Sequence, residues 1–154
     1  MEVLVCNEWS IYFHPEFANQ WDQQVKLVKK LSSTLSKKEF VEHREVKFTA
    51  SLRLCIKEKI PLNPHAAYFR LRKDLKKYRR LKKMGLPERY RLFFRAGVIN
   101  NEKVIIVLWL GYPRREGDKK NDCYEKFKRK LANQIFPDDL TQLVAQCTKS
   151  TDGI

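Results

Sequence analysis

Tyr90-Arg91-Leu92-Phe93-Phe94-Arg95-Ala96, a break at Gly97 and Asn100-Asn101, then Lys103-Val104-Ile105-Ile106-Val107-Leu108-Trp109-Leu110: this stretch decides the fold. Side chains alternate along a strand. Over a strand from Arg89 to Ala96 that puts Tyr90, Leu92 and Phe94 on one face and Arg91, Phe93 and Arg95 on the other. The first face is suited to packing on helices, and the second presents two arginines, expected roughly 7 Å apart. The run from Val104 to Leu110 is apolar throughout and does not alternate. It predicts a central strand covered on both faces. Gly97 and Asn100-Asn101 read as the loop between the two strands, so a hairpin is expected.

Working outward, Gly85 and Pro87 break the chain upstream. A further strand is expected around Tyr78 to Lys83. If it pairs beside the first, Arg80 and Lys82 join Arg91 and Arg95 as four cations on one patch of sheet. Toward the N-terminus, Trp9 to Phe13 reads as a short strand closed by His14-Pro15, and proline suits the first turn of a helix. Phe17, Trp21, Val25, Val28, Leu31 and Leu35 recur at helical spacing. Ser36 with Glu39 forms a capping box. It opens a second helix to about Lys59, with Val41, Phe48, Leu52, Cys55 and Ile56 as its buried stripe and Pro61 as its stop. These two helices are expected to form an antiparallel hairpin. Toward the C-terminus, Gly111 to Asp118 is a basic loop. Asp122 to Ile135 predicts a helix with Phe127 and Leu131 inward, and a further helical turn follows Pro137. The whole is an α+β arrangement in one domain, residues 1–154.

Charge is concentrated. Between Arg70 and Arg95 twelve cations face only Asp74 and Glu88, a surplus of ten out of the chain's +14. Such a field calls for a polyanionic partner, most commonly nucleic acid. Arg70, Arg72, Lys73, Lys76 and Lys77 are candidate RNA contacts, although a charge run of this kind is also the usual composition of a solvated face. At 43% hydrophobic and 12% aromatic residues, the chain has material for a core and is not a disordered basic tail. Cys6, Cys55, Cys123 and Cys147 form no Cys-x-x-Cys pair, so a zinc site lacks a local scaffold. Buried reduced thiols and a cytoplasmic location are expected. No signal peptide or membrane-spanning run is visible, and no membrane partner is expected. His14 reads as a cap beside Pro15, His43 as a mid-helix residue and His65 as a loop residue. Their spacing suits neither a metal nor a two-histidine ribonuclease. Tyr124, at the head of the last helix, is placed to pack, to stack on a base or to move a proton.

Several ordered motifs together resemble the YhaV family of toxins. They are Tyr12-Phe-His-Pro-Glu-Phe17, Asn63-Pro64 with Phe69-Arg70, Tyr90-Arg-Leu-Phe-Phe-Arg95 with Lys103-Val-Ile-Ile and Trp109, Lys119-Lys120-Asn121-Asp122-Cys123-Tyr124, and Phe136-Pro137. The resemblance spans roughly residues 9 to 140. It implies a RelE-like microbial RNase fold: an N-terminal strand and helical hairpin, a small antiparallel sheet and a C-terminal helix. It implies the toxin of a type II toxin–antitoxin system, an endoribonuclease that cleaves mRNA in association with translating ribosomes. The implied partner is a PrlF-like antitoxin with an AbrB-type domain.

Carried over position by position, the resemblance implies catalytic roles for Arg80, Lys82, Arg91, Arg95, Arg115 (with Arg114 as its competitor) and Tyr124. RNA-binding roles are expected for Phe93, Lys119 and Lys120 beside the Arg70–Lys77 cations. The expected chemistry needs neither metal nor cofactor. RNA supplies its own nucleophile, the arginines bear the phosphate charge, and Lys82 is the base if its ordinary pKa of about 10.4 is pulled down. The competing expectation is a basic RNA- or ribosome-binding protein without activity, in which Phe93 and Tyr124 serve as stacking platforms.

Overall fold

The computed structural model describes residues 4–112 and 122–147. Five strands form one sheet: β1 (Leu4–Cys6), β2 (Trp9–Phe13), β3 (Arg79–Leu81), β4 (Arg91–Ile99) and β5 (Glu102–Gly111), in the order β1-β2-β5-β4-β3. The sheet is mixed rather than antiparallel, because β2 runs parallel to β5 while every other pair is antiparallel. β5 is central, and Val104 to Leu110 are all buried, as its unbroken apolar run predicts. β1 was not anticipated. It turns into β2 through Asn7 and Glu8, both at positive φ (49° and 71°), the geometry of a tight hairpin turn without the usual glycine.

α1 (Pro15–Thr34) opens with proline in its first turn, and His14 is its cap: Nδ1 accepts the Glu16 backbone N–H at 3.1 Å. His14 Nε2 bonds Gln146 at 2.9 Å, so both ring nitrogens serve structure. Burial lowers the His14 pKa.

The expected second helix is two helices, α2 (Lys37–Glu42) and α3 (Arg44–Leu54). His43 is the joint. Its backbone is extended (φ −68°, ψ 133°), and its Nδ1 accepts the Glu45 N–H. It caps α3 and does not lie mid-helix as the sequence reading had it. The Ser36–Glu39 capping box is present. The kink turns Val41 out to solvent, at 55% exposure, while Leu52, Cys55 and Ile56 are buried. Pro61 does not stop the helix. A π-helical turn at Cys55–Lys59 widens the coil, and α4 (Ile60–Leu62) continues through Pro61, which has no N–H to donate.

The sheet separates two cores. On one face Leu92, Phe94, Ile105 and Val107 pack against Phe17, Trp21, Leu52 and Ile56. On the other, Phe93, Ile106, Leu108 and Trp109 pack beneath α5 (Cys123–Ala132) and α6 (Leu140–Gln146) through Phe127 and Leu143. A bulge at Phe93/Phe94 places Leu108 and Trp109 consecutively on the same face, which delivers Trp109 to Phe127.

Two glycines permit this. A Cβ on Gly97 would lie 2.6 Å from Leu140 Cδ2, so Gly97 is a packing position inside β4. The turn that the sequence reading placed there is made by Asn100 and Asn101, at φ 48° and 67°. A Cβ on Gly111 would lie 2.9 Å from Cys123, so Gly111 lets the start of α5 rest on the end of β5. All four cysteines are free, and Cys55, Cys123 and Cys147 are buried. Among the described residues no helix is long and apolar enough to cross a membrane.

Candidate active site

The sheet register assembles the site. Arg80 in β3 pairs with Phe93, and Leu81 with Leu92, so Lys82 is the next residue across from Arg91. Arg91 in turn pairs with Gly111. Gly111 has no side chain, and α5 begins against it, which brings Tyr124 over the pair of strands. The outcome is a three-way contact. The Tyr124 hydroxyl oxygen accepts from Arg80 Nη1 at 3.1 Å and from Arg91 Nε at 3.1 Å. Two guanidinium groups from different strands thus converge on one phenol.

Each member is held by further contacts. Arg80 is 9% exposed, and its Nη2 reaches the Tyr68 carbonyl at 3.4 Å. Arg91 Nη1 donates to the Tyr90 carbonyl at 2.9 Å. The Tyr124 ring stands edge-on to Phe93, 5.7 Å between centroids. Among the described residues no carboxylate pairs with Arg80, Lys82 or Arg91. Arg80 and Arg91 therefore share a neutral acceptor and keep their full charge for a ligand. Lys82 is exposed, and its pKa is lowered, first by the Arg80 charge, then by desolvation and by Arg91 and Lys83. That is the direction a lysine base requires. Because Tyr124 accepts with its oxygen lone pairs, its own O–H remains available to donate.

Two expected members are elsewhere. Arg95 lies four residues from Arg91, about 13 Å at ~3.3 Å per residue, and not 7 Å. Phe93 and Phe127 stack between them at 4.2 Å, nearly parallel. Arg95 instead lies over the Tyr78 ring at 5.5 Å and donates to the Asp138 carbonyl at 2.6 Å. Phe93 is fully buried under Phe127 and beside Trp109, so its face is closed to a base; the stacking role expected for it is corrected to a core role. Arg115, its competitor Arg114, Lys119 and Lys120 lie outside the described residues.

The remaining basic residues form a different surface. Lys73, Lys76 and Lys77 line a cleft of about 640 Å³ with Tyr78, Phe136 and Asp138. Lys77 pairs with Asp138 at 2.7 Å. Arg72 is exposed, as is Arg70, which bridges to Arg79 at the outer side of β3. One aromatic was missed by the sequence reading. Tyr68 is 55% exposed, and its carbonyl braces Arg80. It sits in a single 3₁₀ turn, Ala67–Phe69, too short for a periodicity to mark it, and the adjoining Phe69 carries the apolar signal.

The chain as a whole is similar to known proteins. Residues 11–148 match the YhaV toxin family, described as a toxin with endonuclease activity, of toxin–antitoxin system. The chain is 32% identical over 151 residues to Toxin YhaV of Escherichia coli O6:H1, covering 94% of this chain and 95% of that protein. It is 33% identical over 147 residues to Ribonuclease toxin YhaV of Escherichia coli K12, covering 91% and 92%. No solved structure matches.

Proposed function

The chain belongs to the YhaV family of toxins with endonuclease activity, and from that premise we propose that it cuts RNA at the Arg80–Lys82–Arg91–Tyr124 cluster without a metal. The observation that carries this reading is the convergence of two arginines on the Tyr124 oxygen, 3.1 Å from each, with no carboxylate beside them among the described residues.

In the proposed reaction the 2′-hydroxyl of the substrate is the nucleophile. Lys82, in its neutral form, takes the hydroxyl proton. The oxygen attacks the adjacent phosphorus, and Arg80 and Arg91 bear the charge that accumulates on the non-bridging oxygens. The bond from phosphorus to the 5′-oxygen breaks, and Tyr124 donates its proton to that leaving oxygen. The products are a 2′,3′-cyclic phosphate and a 5′-hydroxyl. The phenolate left on Tyr124 sits between two guanidinium groups, which offset its charge until a proton returns from solvent. Arginine is excluded as the base because its pKa exceeds about 12.

A toxin of a toxin–antitoxin system has an antitoxin partner and, as a ribonuclease, an RNA substrate. We read the partner as a PrlF-like, AbrB-type antitoxin and the substrate as mRNA engaged by the ribosome in the cytoplasm. The lysine-lined cleft at Lys73, Lys76 and Lys77 would track the RNA backbone. The test uses translating extracts treated with EDTA followed by just enough magnesium to keep ribosomes assembled, and in parallel a ribosome-free RNA with EDTA in excess. Cleavage ends carrying cyclic phosphate in both, or on ribosomes alone when magnesium is replaced by cobalt hexammine, support the reading. Ends carrying 5′-phosphate overturn it, since those require attack by water rather than by the 2′-hydroxyl.

A further inference from the structure

A second cleft, of about 460 Å³, opens on the opposite face of the sheet from the Tyr124 cluster, at the strand ends, between α3 and the chain segments at Pro87–Tyr90 and Tyr112. Three aromatic rings line it. Phe48 and Tyr90 lie 5.0 Å apart, and Tyr90 and Tyr112 stand edge-to-face at 6.1 Å. Tyr112 is 49% exposed and Tyr90 partly so, which leaves ring surface open to the cleft. Arg44, Glu45 and Gln24 complete its lining. One Glu45 oxygen receives the Gln24 amide at 2.9 Å, and among the described residues Arg44 has no carboxylate partner. The cleft therefore offers ring faces for stacking together with one acceptor and one donor.

Its position matters as much as its lining. Tyr90 precedes Arg91, and its carbonyl accepts from the Arg91 guanidinium at 2.9 Å. Tyr112 follows Gly111, the register partner of Arg91, and its carbonyl accepts from Cys123, the residue before Tyr124, at 2.9 Å. Both tyrosine walls are thus tied through backbone contacts to the residues that hold the phosphate site. Single-stranded RNA is read by bases splayed out onto aromatic side chains.

We propose that the cleft between Phe48, Tyr90 and Tyr112 is a nucleobase pocket, which receives a base of single-stranded RNA that passes round the ends of β4 and β5 from the phosphate at Arg91. The idea rests on the reading of the Arg80–Arg91 cluster as the phosphate site. Tyr112 stacks on the base. Glu45 accepts from an exocyclic amino group, so adenine, cytosine and guanine are favoured over uracil, which has none.

The experiment is a binding cycle with a short, uncleavable 2′-deoxy oligonucleotide, read by fluorescence anisotropy. Bases are replaced in turn by an abasic unit, against the wild-type protein and Tyr112→Ala, whose side chain is exposed enough to spare the fold. At one position, base removal is expected to weaken wild-type binding about tenfold and to leave Tyr112→Ala nearly unaffected. Glu45→Gln narrows the gap between uracil and the amino-bearing bases at that position. Equal penalties for base removal in wild type and Tyr112→Ala at every position overturn the pocket. Because the oligonucleotide is not cut, coupling at Tyr112 in a protein that fails to cleave RNA would keep the pocket and remove only the ribonuclease reading.

Discussion

Arg91 and Arg95 stand on the same face of the same strand, four residues apart, and have opposite surroundings. At the Arg91 end, Arg80 and Lys82 are close by and the shared acceptor is a phenol oxygen. At the Arg95 end, the guanidinium lies on an aromatic ring, bonds a backbone carbonyl and has the Lys77–Asp138 ion pair beside it. The Phe93–Phe127 stack separates the two ends. Strand alternation governs which face a side chain takes, but its partners govern what it can do. The Arg95 guanidinium has a ring, a carbonyl and a neighbouring acid as its surroundings, while its Nε is buried without a partner. Two arginines that share one neutral acceptor are left with unmet charge, and that is what a phosphate answers.

The comparison is broken most directly by paired substitutions. Arg91→Ala is expected to lower the cleavage rate about 10²–10³-fold, the usual loss when a transition-state charge donor is removed. Arg95→Ala is expected to stay within about threefold in rate, with a drop in melting temperature of about 3–6 °C from the lost ring and carbonyl contacts. Rates on one RNA and thermal melts of both variants decide it. Equal rate losses would show that both ends serve the chemistry.

Lys82 sharpens the Arg91 end through pH. A base works deprotonated, so below its pKa the rate climbs about tenfold per pH unit and then levels. Arg80 is the largest cause of the lowered Lys82 pKa. Arg80→Met should therefore move the levelling point to higher pH, besides slowing the reaction. Lys82→Ala should lose about 10²-fold at the plateau and flatten the climb. An unchanged profile in Lys82→Ala would assign the base elsewhere.

The same contrast explains what could be read in the sequence. Period-two alternation found the two faces of β4, and the unbroken run from Val104 to Leu110 found the buried central strand. Ser36 and Glu39 announced their cap. The departures arise where local pattern is silent about partners. His43 looked mid-helix because its capping bond is made by the ring and not by a residue type usual at caps. Gly97 looked like a loop glycine because the side chain that needs its space, Leu140, is 43 residues away. β1 escaped because Asn7-Glu8 makes a tight turn without glycine.

In the site, Arg80, Lys82, Arg91 and Tyr124 were marked by charge, strand phase and family resemblance, and the register brings them together. Phe93 and Arg95 were marked by the same signals. Only the packing of α5 across the sheet, through Phe127, tells them apart from the others, and no residue near β4 in sequence encodes that.

The smallest expected effect tests the Arg95 end in reverse. Asp138 is held below the usual carboxylate range by the hydrogen bond from Lys77 and by that lysine's charge. The pair is exposed, so little stability rests on it. Asp138→Asn removes a negative charge from the cleft that Lys73, Lys76 and Lys77 line, and frees Lys77 for a phosphate. RNA affinity at low salt should rise about threefold, and the slope of log K against log salt should steepen by about 0.7, the increment for one more phosphate contact on a single strand. At high salt the gain should vanish. The rate at saturating RNA should not change if, as proposed, Lys77 guides the strand without touching the reacting phosphate. A gain in that rate would carry the chemistry across the Phe93–Phe127 stack and erase the distinction between the two ends.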